Sequence, residues 1–384
     1  MSAFSKGRMR NMAKIRLMQI THDLAIGGLQ QVVVNLCRHI DRERFEVSVL
    51  CLRSRGEFAA GIEAMGIPVF LLPQKKGTDY VSFLKVARLL RREKIEVIHT
   101  HNTQPFVDGT IGALMAGVGT RVHTDHARAF PDKRRYMAAE WVMSLFAHKV
   151  VGVSDHTVAN LRAYERIDSA KLVTIVNGIS GERYAVSVDR EAKARGLGIT
   201  HTGPFLGFVA RLEEEKGGTY LVQAMPEIAA RFPGAALVIA GQGELEGALK
   251  EEARRLGVAH RVYFIGPRMD VPELLNLFDL CVLPSLREGL PMVIPEAMAA
   301  GCPLLATRVG GIPSVITHGE NGSLVPPANP GALAAEAIRL LEDEAGVAAY
   351  REKGRQVFEE RFSAETMAAR YEALYLGRRP MEQI

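Results

Sequence analysis

Short runs of β-branched and aliphatic residues alternate along the chain with stretches whose apolar positions recur every three to four residues. In the first half, segments 15–20, 45–51, 67–72, 96–101, 121–126, 149–153 and 172–176 predict strands. Segment 82–92 shows the helical stripe between them, with Phe83, Val86, Ala87 and Leu90 on one side. The same alternation restarts after residue 200. Strands are predicted at 205–210, 235–240, 261–265, 280–284 and 303–307, and helices at 218–231, 244–256, 291–300 and 332–341. Apolar strands alternating with helices predict mostly parallel sheets covered on both faces. Segment 180–204 loses the periodicity and reads as a linker. The expected fold class is therefore α/β, with a doubly wound domain over 1–185, a second over 200–362, and a helix at about 363–384 packing back on the first.

Length and composition agree with this division. A chain of 384 residues exceeds one ordinary core. With 47% hydrophobic and 24% charged residues it has the balance of a folded globular protein. Its longest apolar stretches fall short of the roughly 20 residues that cross a bilayer. The first fourteen residues carry Lys6, Arg8, Arg10 and Lys14 without the apolar segment of a secretory signal, and read as a mobile tail. Cys37, Cys51, Cys281 and Cys302 form no Cys-x-x-Cys pair, so neither a zinc site nor a disulfide framework is indicated, and a cytoplasmic location is expected. Charge is uneven, with 26 Lys and Arg against 16 Asp and Glu in residues 1–180, and 22 against 27 thereafter. A basic first half can draw an anionic acceptor or an anionic membrane surface, or it can simply be solvated.

Parallel sheets bind ligands beyond the carboxyl ends of their strands, and two such sheets facing each other would share a cleft there. The residues that bear chemistry fall in those loops. Gly27 and Gly28 follow the first strand and open a helix at 29–39, leaving N–H groups for an anion; an ordinary turn is the alternative. Arg211 and Lys216 follow strand 205–210 and together can neutralise adjacent phosphates, unless both pair with Glu213, Glu214 and Glu215 on the surface. The segment from Arg287 to Met298 places Glu288 on a loop and Glu296 just inside the next helix, with Pro291 suited to the first helical position. The amides of Met292 and Val293 would then be free donors for a negative ligand. Glu296 can accept from a ribose diol and Glu288 from a sugar ring.

Taken together, Gly27-Gly28, Asn177-Gly178-Ile179, Arg211-Leu212 with Lys216-Gly217, Gly241-Gln242-Gly243 and the Glu288-x7-Glu296 pair resemble the retaining GT-B glycosyltransferases of family 4, also called group 1. Ser180 and Ala210 depart from the family pattern, which often has Asp and Gly there. The resemblance implies two Rossmann-like domains across a cleft and a nucleotide-diphosphate sugar, UDP- or GDP-linked, as donor. Arg211 and Lys216 would bind its diphosphate, Glu288 its sugar and Glu296 its ribose, with Gly28, Gly289, Leu290, Met292 and Val293 also lining the donor site. His126 would stand beside the reacting sugar. The implied chemistry is front-face transfer with retention, no metal and no cofactor, onto a glycan, polysaccharide-precursor or lipid-linked acceptor. No nucleic-acid partner is expected.

His99, His101, His123 and His126 cluster at the ends of two strands, where imidazoles can ligate a metal. Asp125 nevertheless lacks an Asp-x-Asp partner, so no metal site is expected. Lys133, Arg134 and Arg135 precede a stretch at 136–147 containing Trp141, Leu145 and Phe146. It reads as a helix packed on the sheet or, with its basic lead, as one resting on a membrane. Two other functions use similar features, a sugar-nucleotide epimerase and a non-catalytic nucleotide-sugar-binding protein. Donor-only incubation distinguishes the first and absence of turnover the second.

Overall fold

The computed structural model describes residues 13–72, 81–126 and 131–378. Most of the expected amino-terminal tail and the end of the expected last helix lie outside them. The chain forms two compact units, one running to Gly178 and resumed from Met367, the other spanning Ile179–Thr366.

The first unit holds strands β1 (Ile15–Thr21), β2 (Phe45–Cys51), β3 (Val69–Leu71), β4 (Val97–His101), β5 (Thr120–Asp125), β6 (Lys149–Gly152) and β7 (Leu172–Thr174). They make one sheet in the order β3-β2-β1-β4-β5-β6-β7, parallel throughout. Helices cover both faces. On one face Leu17, Val47 and Val49 meet Val33 and Leu36 of helix Gly28–His39, together with Met367, Tyr371 and Leu374 of helix Ala364–Tyr375. On the other, Met18, Ile20 and Ile98 meet Val86 and Leu90 of helix Ser82–Arg92. Side chains alternate along each strand, so an apolar strand feeds both cores at once.

The second unit holds β8 (Phe205–Val209), β9 (Ala236–Ala240), β10 (Val262–Phe264), β11 (Leu280–Leu283), β12 (Leu304–Thr307) and β13 (Ser323–Val325), in the order β10-β9-β8-β11-β12-β13 and again parallel. β13 is the strand that periodicity did not predict: three residues after the Gly319–Gly322 turn are too few to show a pattern. In each sheet the order reverses once, between β1 and β4 and between β8 and β11. These reversal points are where adjacent loops diverge and leave a crevice.

The segment expected to be a linker is structured and belongs to the second unit. It contains a 3₁₀ turn, Gly181–Arg183, the buried Tyr184 and helix Arg190–Gly196, capped by Asp189 accepting from the Ala192 N–H. Its contacts are with distant residues. Asn276 Nδ2 donates to Tyr184 O at 2.9 Å and Arg190 donates to Asp279 Oδ1 at 2.8 Å, so no local periodicity marks it.

Candidate active site

The reversal point of the second sheet gathers the loops that follow four strands. After β8 the chain makes a 3₁₀ turn, Glu214–Lys216, and Gly217 then takes a left-handed conformation at φ 67°. A Cβ at Gly217 would lie 2.0 Å from Pro284 O, so only glycine lets this loop rest against the one after β11. The Leu286 N–H donates to Glu215 O at 2.7 Å across the same seam. The loop after β12 docks from the other side, its Gly311 N–H donating to Gly289 O at 2.9 Å. The loop after β9 joins through the Leu212 N–H, which donates to Gln242 O at 2.9 Å.

This packing brings Lys216 and Glu288 together from opposite sides of the reversal point. Lys216 Nζ donates to both Glu288 oxygens, at 2.7 and 2.8 Å, and Ser285 Oγ donates to Glu288 Oε1 at 2.9 Å. The Ser285 carbonyl in turn accepts from Thr307 Oγ1 at 2.5 Å, tying the pair to β12. The two side chains are only 19% and 8% exposed, so the charges interact with little water between them. Sequence reasoning left open a local surface pairing for both cations. The structure divides them: Lys216 turns inward, whereas Arg211 is 72% exposed and pairs with Glu213 at 2.6 Å.

Helix Val293–Ala300 starts beside this pair. Pro291 is not its first residue, as expected from sequence, but precedes the cap at Met292. The reason lies in the first turn, where the Ile294 N–H bonds back to Pro291 O at 3.1 Å and the regular ladder begins only with the Glu296 N–H on Met292 O at 3.1 Å. The Met292 and Val293 amides therefore have no acceptor among the described residues. Glu296 occupies the first turn, and its carboxyl is held above its ordinary range by burial, an effect opposed by the hydrogen bond from Tyr184 and by the charge of Arg183. Tyr184 is the partner that sequence missed. Burial and the neighbouring carboxylate hold its hydroxyl protonated.

In the first unit Gly28 opens its helix with no side-chain cap and open space around it. His126 follows β5 and is bonded to His101, Nε2 to Nδ1, at 3.0 Å. His99 and His101 share one side of β4, whereas His123 stacks on Phe106 with centroids 3.8 Å apart. His99 is bonded to Tyr375 and Thr124, and His101 to Gln19 and His126. Among the described residues no group of three or more His, Cys, Asp or Glu is arranged around a common point as metal ligands are.

Two parallel doubly wound units on one chain define the GT-B fold class. A family model described as Glycosyl transferases group 1 matches residues 189–357, and one described as Glycosyltransferase Family 4 matches residues 26–183. The UDP-Gal:alpha-D-GlcNAc-diphosphoundecaprenol alpha-1,3-galactosyltransferase of Escherichia coli is 27% identical over 329 residues, which cover 82% of this chain and 84% of that one. An uncharacterized glycosyltransferase of Methanocaldococcus jannaschii is 32% identical over 66% of this chain and 68% of its own. The structure of Anabaena HepE in complex with UDP superposes with a TM-score of 0.76 at 22% identity, covering 94% of this chain and 100% of that one. The chain belongs to the group 1 glycosyltransferases, glycosyltransferase family 4, and is an enzyme of that class.

Proposed function

We propose that the enzyme transfers a hexose from a nucleotide-diphosphate sugar, UDP- or GDP-linked, to a glycan or lipid-linked acceptor, with retention of configuration and without a metal ion. The observation that carries this reading is the inward-facing Lys216, bonded to Glu288 at the sheet's reversal point beside the Met292 and Val293 amides, which have no acceptor among the described residues. A fixed cation and fixed N–H donors can stabilise a departing diphosphate with no reorganisation during bond breaking. In this reading Lys216 and Arg211 take the diphosphate, with Gly28, Gly289, Leu290, Met292 and Val293 lining the donor. Glu288 takes the sugar, Glu296 the ribose, and His126 stands at the reacting sugar. Arg211 must exchange Glu213 for phosphate, a small cost for an exposed ion pair. The named activity of the Escherichia coli relative supports a lipid-linked acceptor.

Thermal shift with a panel of nucleotide diphosphates and their sugars tests the donor site, because a ligand bound only to the native state raises the melting temperature. One base series should raise it, and the same donor should yield a glycosylated product only when acceptor is added. Sugar isomerisation in donor alone would establish an epimerase instead.

Helix Arg134–Phe146 supports operation at an anionic membrane surface. The helix buries only Glu140, Met143 and Ser144. Trp141 is 45%, Leu145 54% and Phe146 43% exposed, on a helix that Lys133, Arg134 and Arg135 lead. Among the described residues no helix is long and apolar enough to cross a membrane, so this face would lie in the interface rather than span it. Trp141 is the chain's one tryptophan and hence its own reporter. Its emission should shift to the blue with phosphatidylglycerol vesicles and not with phosphatidylcholine vesicles; an unchanged spectrum with both rejects the membrane site.

A further inference from the structure

A chain of buried polar groups in the first unit ends at His126. Gln19 of β1 is fully buried, and its Nε2 donates to Tyr375 Oη at 3.3 Å while its Oε1 lies 2.9 Å from His101 Nε2. An amide oxygen only accepts, so His101 carries its proton on Nε2. Its Nδ1 is then a lone pair, and the contact at 3.0 Å to His126 Nε2 requires the proton to sit on His126 Nε2. That leaves His126 Nδ1 unprotonated. This atom is buried and has no partner among the described residues.

The other arm runs through helix Ala364–Tyr375. The Tyr375 hydroxyl, accepting from Gln19, donates to His99 Nδ1 at 2.7 Å, so the His99 Nε2–H donates to Thr124 Oγ1 at 2.8 Å. Thr124 Oγ1 also meets Tyr371 Oη at 2.9 Å. Tyr371 and Tyr375 are one helical turn apart and face the sheet side by side. Every link is within hydrogen-bond range, and in so dry a place an unmatched donor or acceptor would be costly, so the protons must be ordered as a set.

We propose that Gln19, locked by Tyr375 and acting through His101, is a positioning residue that fixes His126 as the Nε2–H tautomer and presents Nδ1 as a hydrogen-bond acceptor for a sugar hydroxyl. The inference rests on the proposed place of His126 at the reacting sugar, but the tautomer itself can be tested without it. Its logic is that of any imidazole whose far nitrogen is held by a second group: the partner decides which nitrogen faces the substrate.

Nitrogen NMR of histidine-labelled enzyme near neutral pH should show His126 with a pyrrole-type Nε2 and a pyridine-type Nδ1, assigned by loss of the signals in His126→Ala. A pyrrole-type Nδ1 would overturn the proposal. Gln19→Leu should mix the two tautomers and lower kcat by roughly 10–100-fold, the scale on which orienting partners act. The affinity for the free nucleoside diphosphate should stay unchanged, and Gln19→Glu, which keeps an acceptor toward His101, should restore the single tautomer. Wild-type kcat in a folded Gln19→Leu enzyme would reject the positioning role. Unchanged transfer in His126→Ala would reject the role of His126 in catalysis while leaving the NMR test of the relay intact.

Discussion

Glu288→Gln should lower kcat by about 10²–10³-fold, the usual loss when one fixed electrostatic group is removed from a transition-state site, in an enzyme that stays folded with a modestly lower melting temperature, because the neutral amide leaves the Lys216 charge unbalanced. Glutamine retains an acceptor for Ser285 Oγ and Lys216 Nζ, which hold Glu288 Oε1 at 2.9 and 2.7 Å, so the loops stay docked. What disappears is the negative charge that balances Lys216. The cation is then freer to hold phosphate in the ground state, so affinity for donor should be kept or improved while turnover falls, the signature of an interaction made chiefly in the transition state. Lys216→Ala is a poorer probe. It strands a carboxylate that is only 8% exposed, and loss of one partner of a buried pair costs about 3–5 kcal/mol. Steady-state kinetics with donor titration on Glu288→Gln decides the matter, and turnover within twofold of wild type would remove Glu288 from the reaction.

The contrast between these two substitutions marks how far the sequence could be read. Both parallel sheets were legible because strands buried on two faces are written as apolar runs, such as Val49–Cys51 in β2 and Leu237–Ala240 in β9. Glu288 and Glu296 were legible as a spacing that straddles a helix start. The partner of Lys216 was not, since three glutamates precede it in the chain and each is a plausible local partner. The left-handed turn at Gly217 decides against them by laying the loop on Pro284, a contact across the sheet that no window of sequence contains. Tyr184 lay hidden for a related reason. Its stretch has no periodicity because it packs as an irregular segment, and its bond to Glu296 joins residues far apart in the chain. The same holds for Gln19 and Tyr375, brought from opposite ends of the chain to one buried contact. The histidine cluster could be seen in sequence, but the groups that occupy its nitrogens could not.

Those nitrogens also determine how the protein responds to acid. Burial holds His99, His101 and His126 below the ordinary value of 6.5, with repulsion from neighbouring imidazoles adding to the effect at His99 and His101, and His126 is pushed down to about 3. Each is neutral in the folded protein at pH 5 but takes up a proton on unfolding once the pH drops below 6.5. The unfolded state therefore binds more protons in this window, and stability falls as the pH falls. At about 1.4 kcal/mol per pH unit for each group, three histidines give a slope of at most about 4 kcal/mol per unit just below pH 6. Glu296 acts in the opposite sense, because its raised carboxyl takes up a proton earlier in the folded state, and it can offset part of the slope. The carboxylates of Asp270 and Glu252, held below their ordinary range by hydrogen bonds from Arg268 and Arg255, contribute a loss only below about pH 4. Urea unfolding followed by Trp141, which lies in the same unit as the three histidines, should show the midpoint steady from pH 8 to 7 and dropping steeply from pH 6 to 5. A midpoint that does not move down to pH 5 would mean that these imidazoles are charged or solvated in the folded protein, and the proton order assigned to His126 would fail with it.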